Sequence, residues 1–368
     1  MKNALFIPAV LSALVAGGPA FAEIKIGIMV PTSGSLATYG IDMENAIKMA
    51  AEDINAKGGV LGQKIVTFTA DDGCDPQMAT AAASKLVSQG MNAVVGGFCS
   101  GSTLATLKIY SDAGVPLLVT NANSSKFIAA NPGNAFLINA LATYQVDTAM
   151  ELFKKHAIKT IALVHQGDAY SEDLASLTRK KWEAMGKQVL AYEMVNPGEQ
   201  DQSSLVTRLK GKNPEMVFWT AYFADGALLI KQLRQAGYRG KITVADGSVD
   251  PHLIEIGGKA TEGVFALSLP LPEFLPGGKG QDFIPKYKAK YHVDPGPCSP
   301  LCYDGMMLMA DAMRRAGGTD AKAVIAALKA TKAYPGLAGP IAFDSNNNLA
   351  QSNFITLTVK NAKWALAR

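Results

Sequence analysis

The stretch Asn92-Ala-Val-Val-Gly-Gly-Phe-Cys-Ser-Gly-Ser102 decides the fold. Ala93, Val94, Val95 and Gly96 read as a buried strand, and the chain then turns through glycine, cysteine and serine into Thr103-Leu-Ala-Thr-Leu-Lys-Ile-Tyr110, whose apolar spacing is helical. In an open parallel sheet such a strand-to-helix corner lies at the carboxyl edge, where ligands bind. Its N–H groups and the hydroxyls of Ser100 and Ser102 suit a carboxylate or a phosphate. The same serines also suit a plain helix cap, and the stretch alone leaves both readings open.

The same alternation continues on either side. Before the corner come a strand over 24–30, a polar loop over 31–40, a helix over 41–56, a strand over 64–70 and a helix ending at 89. Asp75-Pro76 supplies the cap and first position of that last helix. A cap and turn explain the aspartates at 71, 72 and 75 better than a cation site, because the spacing is not that of a calcium loop. After the corner, residues 115–125 again run from a short apolar strand into small polar residues, so two adjacent sheet edges offer hydroxyls, amides and N–H groups. A second α/β series starts at 145, with strands over 160–165, 188–195, 215–219 and 241–245 alternating with helices over 145–155, 171–185, 203–209 and 226–236. Residues 267–278 form a proline-rich crossing, followed by helices over 282–291, 301–316 and 321–330. A strand and turn over 339–348 and an alternating strand over 353–359 close the chain. The predicted class is α/β, with two doubly wound lobes.

Composition sets the compartment. Lys2, the apolar run over 4–16 and Ala20-Phe21-Ala22 form a secretory signal cut after Ala22, so the mature chain is expected to be exported and soluble. What remains, about 350 residues, suits two domains of about 150 each. A formal net charge of +4, dispersed along the chain, argues for neither nucleic acid nor an anionic membrane surface. The four cysteines, Cys74, Cys99, Cys298 and Cys302, meet an oxidising environment. Cys74 and Cys99 follow what read as neighbouring parallel strands and are expected to pair. Cys298 and Cys302 either pair by default or stay free.

Catalytic motifs are missing: no G-x-S-x-G elbow, phosphate loop or H-E-x-x-H stretch occurs. His165 ends a strand but reads as a structural imidazole. The strand ends instead carry Tyr39, Phe98, Ser100, Ser124, Tyr170, Tyr222 and Asp246. Asp246 is either a turn cap or the acceptor for a ligand ammonium.

Tyr39-Gly40, Ala51-Glu-Asp-Ile-Asn-Ala-Lys-Gly-Gly-Val60, Asp71-Asp-Gly-Cys-Asp-Pro76, the Cys99-Ser100 corner, Ala169-Tyr-Ser-Glu172 and Thr261-Glu-Gly263 together resemble the periplasmic leucine/isoleucine/valine-binding proteins of ABC importers. The resemblance spans essentially the whole mature chain. It implies the type I periplasmic-binding-protein fold, with lobes over 23–141 plus 270–349 and over 142–269 plus 350–368 joined by a three-crossing hinge. It implies a periplasmic monomer without cofactor, metal or catalysis, which closes on an amino acid, branched-chain or otherwise apolar, and delivers it to permease subunits. Ser100 and Ser124 match donors to the ligand carboxylate, with backbone contacts at Ala122, and Asp246 matches the partner of the ammonium. Tyr39, Tyr170 and Tyr222 match enclosing aromatics, Phe98 stands in the same corner, and Cys74 and Cys99 match the family's disulfide. The acid is aspartate where well-known members have glutamate, and Ser124 stands for a threonine. An aromatic acid or amide, or a sensing role, is the alternative within this fold.

Overall fold

The structure, a computed structural model, describes residues 23–367. The signal segment expected over 1–22 lies outside the described residues. In chain order the first part comprises β1 (Ile24–Val30), α1 (Ala37–Ala56), β2 (Ile65–Asp71), α2 (Pro76–Ser88), β3 (Ala93–Gly96), α3 (Ser100–Asp112), β4 (Leu117–Val119), α4 (Phe127–Ala130) and β5 (Ala135–Leu137). Then follow α5 (Ala142–Lys155), β6 (Thr160–His165), α6 (Ser171–Ala184), β7 (Gln188–Met194), α7 (Ser203–Lys212), β8 (Met216–Trp219), α8 (Phe223–Gln235), β9 (Lys241–Val244), α9 (Pro251–Gly257) and β10 (Phe265–Ser268). The remainder is α10 (Gly280–Tyr291), α11 (Ser299–Ala316), α12 (Ala321–Lys329), the hairpin β11 (Tyr334–Gly336) and β12 (Gly339–Ile341), and finally β13 (Ile355–Lys360) and β14 (Lys363–Leu366). Among the described residues no helix is long and apolar enough to cross a membrane.

Besides the β11-β12 hairpin, the described residues form two larger sheets, ordered β2-β1-β3-β4-β5 and β14-β13-β10-β9-β8-β6-β7. The first is parallel throughout, and its central strands are buried on both faces because helices cover each side. The second is parallel apart from its antiparallel edge β10-β13-β14. The chain leaves the first layer after β5 and returns after β10, where α11 packs on α1, β3 and β4. It leaves again before β13.

Local rules explain most boundaries. Asp75 caps α2 by accepting from the Gln77 and Met78 N–H groups, with Pro76 at the first position, and Asp250 with Pro251 repeats the device at α9. Asp71 accepts from the Thr32 and Gly73 N–H groups and Asp72 from Cys74, so this aspartate cluster is spent on turns. Helix α1 starts at Ala37, inside the stretch expected to be loop. It packs so closely on the preceding turn that a Cβ on Gly40 would lie 1.7 Å from the Pro31 carbonyl oxygen. Glycine there lets Tyr39 enter the helix.

Cys74 and Cys99 are bonded, with Cα atoms 5.4 Å apart. The expected reason needs correction, since β1 lies between β2 and β3 and the strands are not neighbours. The loops beyond their carboxyl ends converge over the end of β1. Cys298 and Cys302 are free buried thiols, so the second bridge is not formed. They lie four residues apart where α11 begins, and the Cys302 sulfur sits 3.3 Å from both Thr120 Oγ1 and Asn121 Oδ1.

Candidate functional site

The corner at residue 96 is set by backbone crowding. Gly96 has φ +142°, and a Cβ there would lie 2.4 Å from the Met29 carbonyl oxygen of β1. The chain then turns into α3 with Cys99 as the capping residue and no side-chain cap. The hydroxyls of Ser102 and Thr103 donate back to the Cys99 carbonyl. Ser100 neither caps the helix nor faces open space: its Oγ accepts from the Ser124 N–H at 3.2 Å. The loop after β4 is stitched to this corner, because the N–H of Thr120 donates to the Gly96 carbonyl and those of Asn121 and Ala122 donate to the Gly97 carbonyl. The two sheet edges therefore form one continuous wall.

The opposite wall comes from the second sheet. Asp168 holds the start of α6 by accepting from the Tyr170 and Ser171 N–H groups. That directs the buried Tyr170 hydroxyl onto Asp246 Oδ1 at 2.5 Å, while the Gly247 N–H donates to the same phenol at 3.0 Å. Asp246, in the tight turn after β9, also accepts from Gln145 at 2.9 Å and from Asn123 of the facing wall at 3.1 Å. Other bonds span the cleft. The Tyr39 hydroxyl donates to the Gly247 carbonyl at 3.2 Å, and the Tyr222 hydroxyl lies 3.4 Å from the Cys99 sulfur.

Between the walls lies a cavity with about 440 Å³ of empty volume, mouth included. Tyr39, Phe98, Tyr170, Tyr222 and Asp246, all singled out from the sequence, line it. Their rings form a chain: Tyr39 stacks on Phe98 with centroids 4.6 Å apart, Phe98 lies 6.0 Å from Tyr222, and Tyr222 lies 5.5 Å from Tyr170. Ser100, Ala122 and Ser124 are not in the lining; they lie buried behind it. The Ser124 hydroxyl donates across the cleft to Asp173 Oδ2 at 2.9 Å.

Sequence reasoning did not single out Asn121, Asn123 and Ser268 among the polar lining, nor Val249, Leu269 and Pro297 among the apolar, whereas Cys298 stands about where the resemblance puts an aromatic pocket residue. The asparagines sit in a loop already recognised as a sheet edge, and that placement was the available signal. Pro297 carries none, since it arrives from a distant part of the chain.

The electrostatics are one-sided. Among the described residues none that lines the cavity is a lysine, arginine or histidine. Burial pushes the Asp246 carboxyl above its ordinary value, opposed by the hydrogen bonds from Tyr170 and Gln145. Burial also raises the Tyr39, Tyr170 and Tyr222 phenols, with Asp246 raising each further, so all are neutral donors. The Cys298 and Cys302 thiols are raised by burial, which makes them poor nucleophiles. His165 lies outside the lining, with Nδ1 accepting from the Gly167 N–H and its ring 4.9 Å from that of Tyr192. The cavity is thus an aromatic enclosure whose charged group is a carboxylate.

A family profile described as periplasmic binding protein matches residues 23–363. The leucine-, isoleucine-, valine-, threonine-, and alanine-binding protein of Pseudomonas aeruginosa is 32% identical over 333 residues, covering 90% of this chain and 88% of that one. Among solved structures, a leucine-binding protein from Thermotoga maritima superposes with a TM-score of 0.87 at 26% identity, covering 94% of this chain and 98% of that one. A branched-chain amino acid transporter substrate-binding protein from Streptococcus pneumoniae, in complex with isoleucine, gives 0.85 at 25% identity, covering 93% and 98%.

Proposed function

Because the chain belongs to the periplasmic binding protein family, we propose that it is the substrate-binding component of an ABC importer, taking an amino acid with a branched or otherwise apolar side chain between its lobes and delivering it to permease subunits. One observation carries the ligand class: Asp246 is a half-buried carboxylate in an aromatic cavity whose lining, among the described residues, supplies no cation. A partly desolvated charge without a partner is unfavourable, and a ligand ammonium supplies that partner. The ring faces of Tyr39, Phe98, Tyr170 and Tyr222 add cation–π attraction and enclose the side chain. A ligand with a carboxylate and no ammonium meets only negative charge here, so an aromatic acid fits less well than an amino acid.

In this reading the lobes are 23–141 plus 270–349 and 142–269 plus 350–368, moving as rigid bodies about the crossings. The bonds from Tyr39 to Gly247 and from Asn123 to Asp246 belong to the closed state. The carboxylate end of the ligand points toward Ser100, Ser124 and the N–H groups of the corner, with Ala122 beside them. The protein works as a periplasmic monomer, and its role is capture and handover, not turnover.

The test is thermal-shift screening of refolded, ligand-free protein against the proteinogenic amino acids, benzoate and benzamide. A ligand that binds only the native state raises the melting temperature. Leucine, isoleucine or valine should give the largest rise, and a shift confined to benzoate would remove the amino-acid reading.

A further inference from the structure

The donors of the turn at residues 124–125 are spent on a carboxylate of the protein itself. Asp173, on α6 and 8% exposed, accepts from the Ser124 hydroxyl at 2.9 Å, the Ser125 N–H at 2.6 Å and the Ser125 hydroxyl at 2.8 Å. The nearby cation, Lys126, pairs instead with Glu172 at 3.6 Å. A serine hydroxyl has one proton to give. While Ser124 gives it to Asp173, that proton is not available to a ligand, and the Ser124 N–H is engaged by Ser100.

We propose that Asp173 is a specificity-determining residue for the carboxylate end of the ligand. It holds, from the opposite wall of the cleft, a hydroxyl donor buried behind the cavity lining, which on the proposed reading the ligand carboxylate reaches only by drawing it away from Asp173. A zwitterionic ligand must compete for Ser124 and bring a second negative charge toward Asp173, which pairs with no cation among the described residues. An amino compound with a neutral carboxamide leaves the Ser124 and Ser125 contacts in place and adds no charge. Asp173 therefore sets the balance between acid and amide, while Asp246 serves the ammonium common to both. The inference rests on the amino-acid reading of the site.

Calorimetric titration of L-leucine and L-leucinamide into refolded wild type, Asp173→Asn and Asp173→Ser tests it, at about pH 6, where both ligands carry an ammonium. The ratio of leucine to leucinamide affinity should rise about tenfold or more in Asp173→Asn, because a like-charge contact in a poorly hydrated site is removed for one ligand only. A general loosening of closure would lower both affinities together and leave the ratio fixed. A ratio that stays within about twofold of wild type, or falls, overturns the proposal. If the asparagine variant does not fold, the serine variant is read by the same ratio. If wild type binds neither compound, the amino-acid reading itself fails and this inference with it, an outcome distinct from a constant ratio.

Discussion

Replacing Asp246 by asparagine removes one charge and keeps the side-chain volume. In the structure this carboxylate accepts from Tyr170, Gln145 and Asn123 at 2.5, 2.9 and 3.1 Å, and among the described residues no cation lines the cavity. If the ligand ammonium is its missing partner, breaking a desolvated charge pair weakens binding by about 2 to 5 kcal/mol, roughly 30-fold to several thousandfold in Kd. Calorimetry on refolded protein reads this directly. The empty protein should respond in the opposite sense. Burial raises the folded-state pKa of Asp246 above its ordinary 3.8, so its contribution to stability is present below that value and lost as pH rises through the raised one. Above that raised value the ionised carboxylate weighs against the empty fold, so empty Asp246→Asn should melt at least as high as wild type, with the gap narrowing toward pH ~4. Ligand affinity of wild type should likewise fall as pH drops through that raised pKa, because the protonated acid has no charge to pair. Wild-type affinity in Asp246→Asn at neutral pH would falsify the assignment.

Three further outcomes are expected. Asp304, buried and held by the Leu337 and Ala338 N–H groups, has a carboxyl pushed by burial up to about 7. Stability should therefore decline between pH ~4 and ~7 by up to about 4 kcal/mol, and Asp304→Asn should flatten this slope in urea titrations at acid and neutral pH. A Cβ on Gly247 would lie 2.9 Å from Tyr170 Cε1 and 3.2 Å from Tyr222 Cδ1, so Gly247→Ala should overpack the cavity. Leucine affinity should fall by about 5-fold to 150-fold, corresponding to about 1 to 3 kcal/mol. The disulfide closes a separation of 25 residues, so the double change Cys74→Ser with Cys99→Ser should lower unfolding free energy by about 3.5 kcal/mol on the chain-entropy account, read as a lower denaturant midpoint.

The residues explain which parts of this molecule were legible beforehand. Strand-to-helix corners announce themselves by local chemistry, so Phe98, Tyr170, Tyr222 and Asp246 could be placed on sheet edges without knowing which strands pair. Tyr39 was recognised although its helix was begun too late, because the close contact of Gly40 with Pro31 has no local signature. Strand order is a tertiary fact, and β1 lying between β2 and β3 was not written in either strand. The three-residue strand β5 and the final strand β14 are too short or too polar to stand out. Ser124 was found as a hydroxyl at the right edge, but where its proton goes depends on Asp173, 49 positions later on the facing wall.

The buried carboxylate of Asp42 on α1 accepts from the Tyr287 hydroxyl at 3.0 Å and the Gly296 N–H at 2.8 Å, and also from the Ser299 hydroxyl. These contacts join residues up to 257 positions apart and seat the start of α11, which carries Cys298 into the cavity wall. The whole second sheet apart from its last two strands is made between them. An emerging chain therefore presents β1 to β5 long before α11 exists to cover α1. Until then the buried face of α1 is open, which favours late, concerted completion of both halves over sequential maturation from the amino terminus.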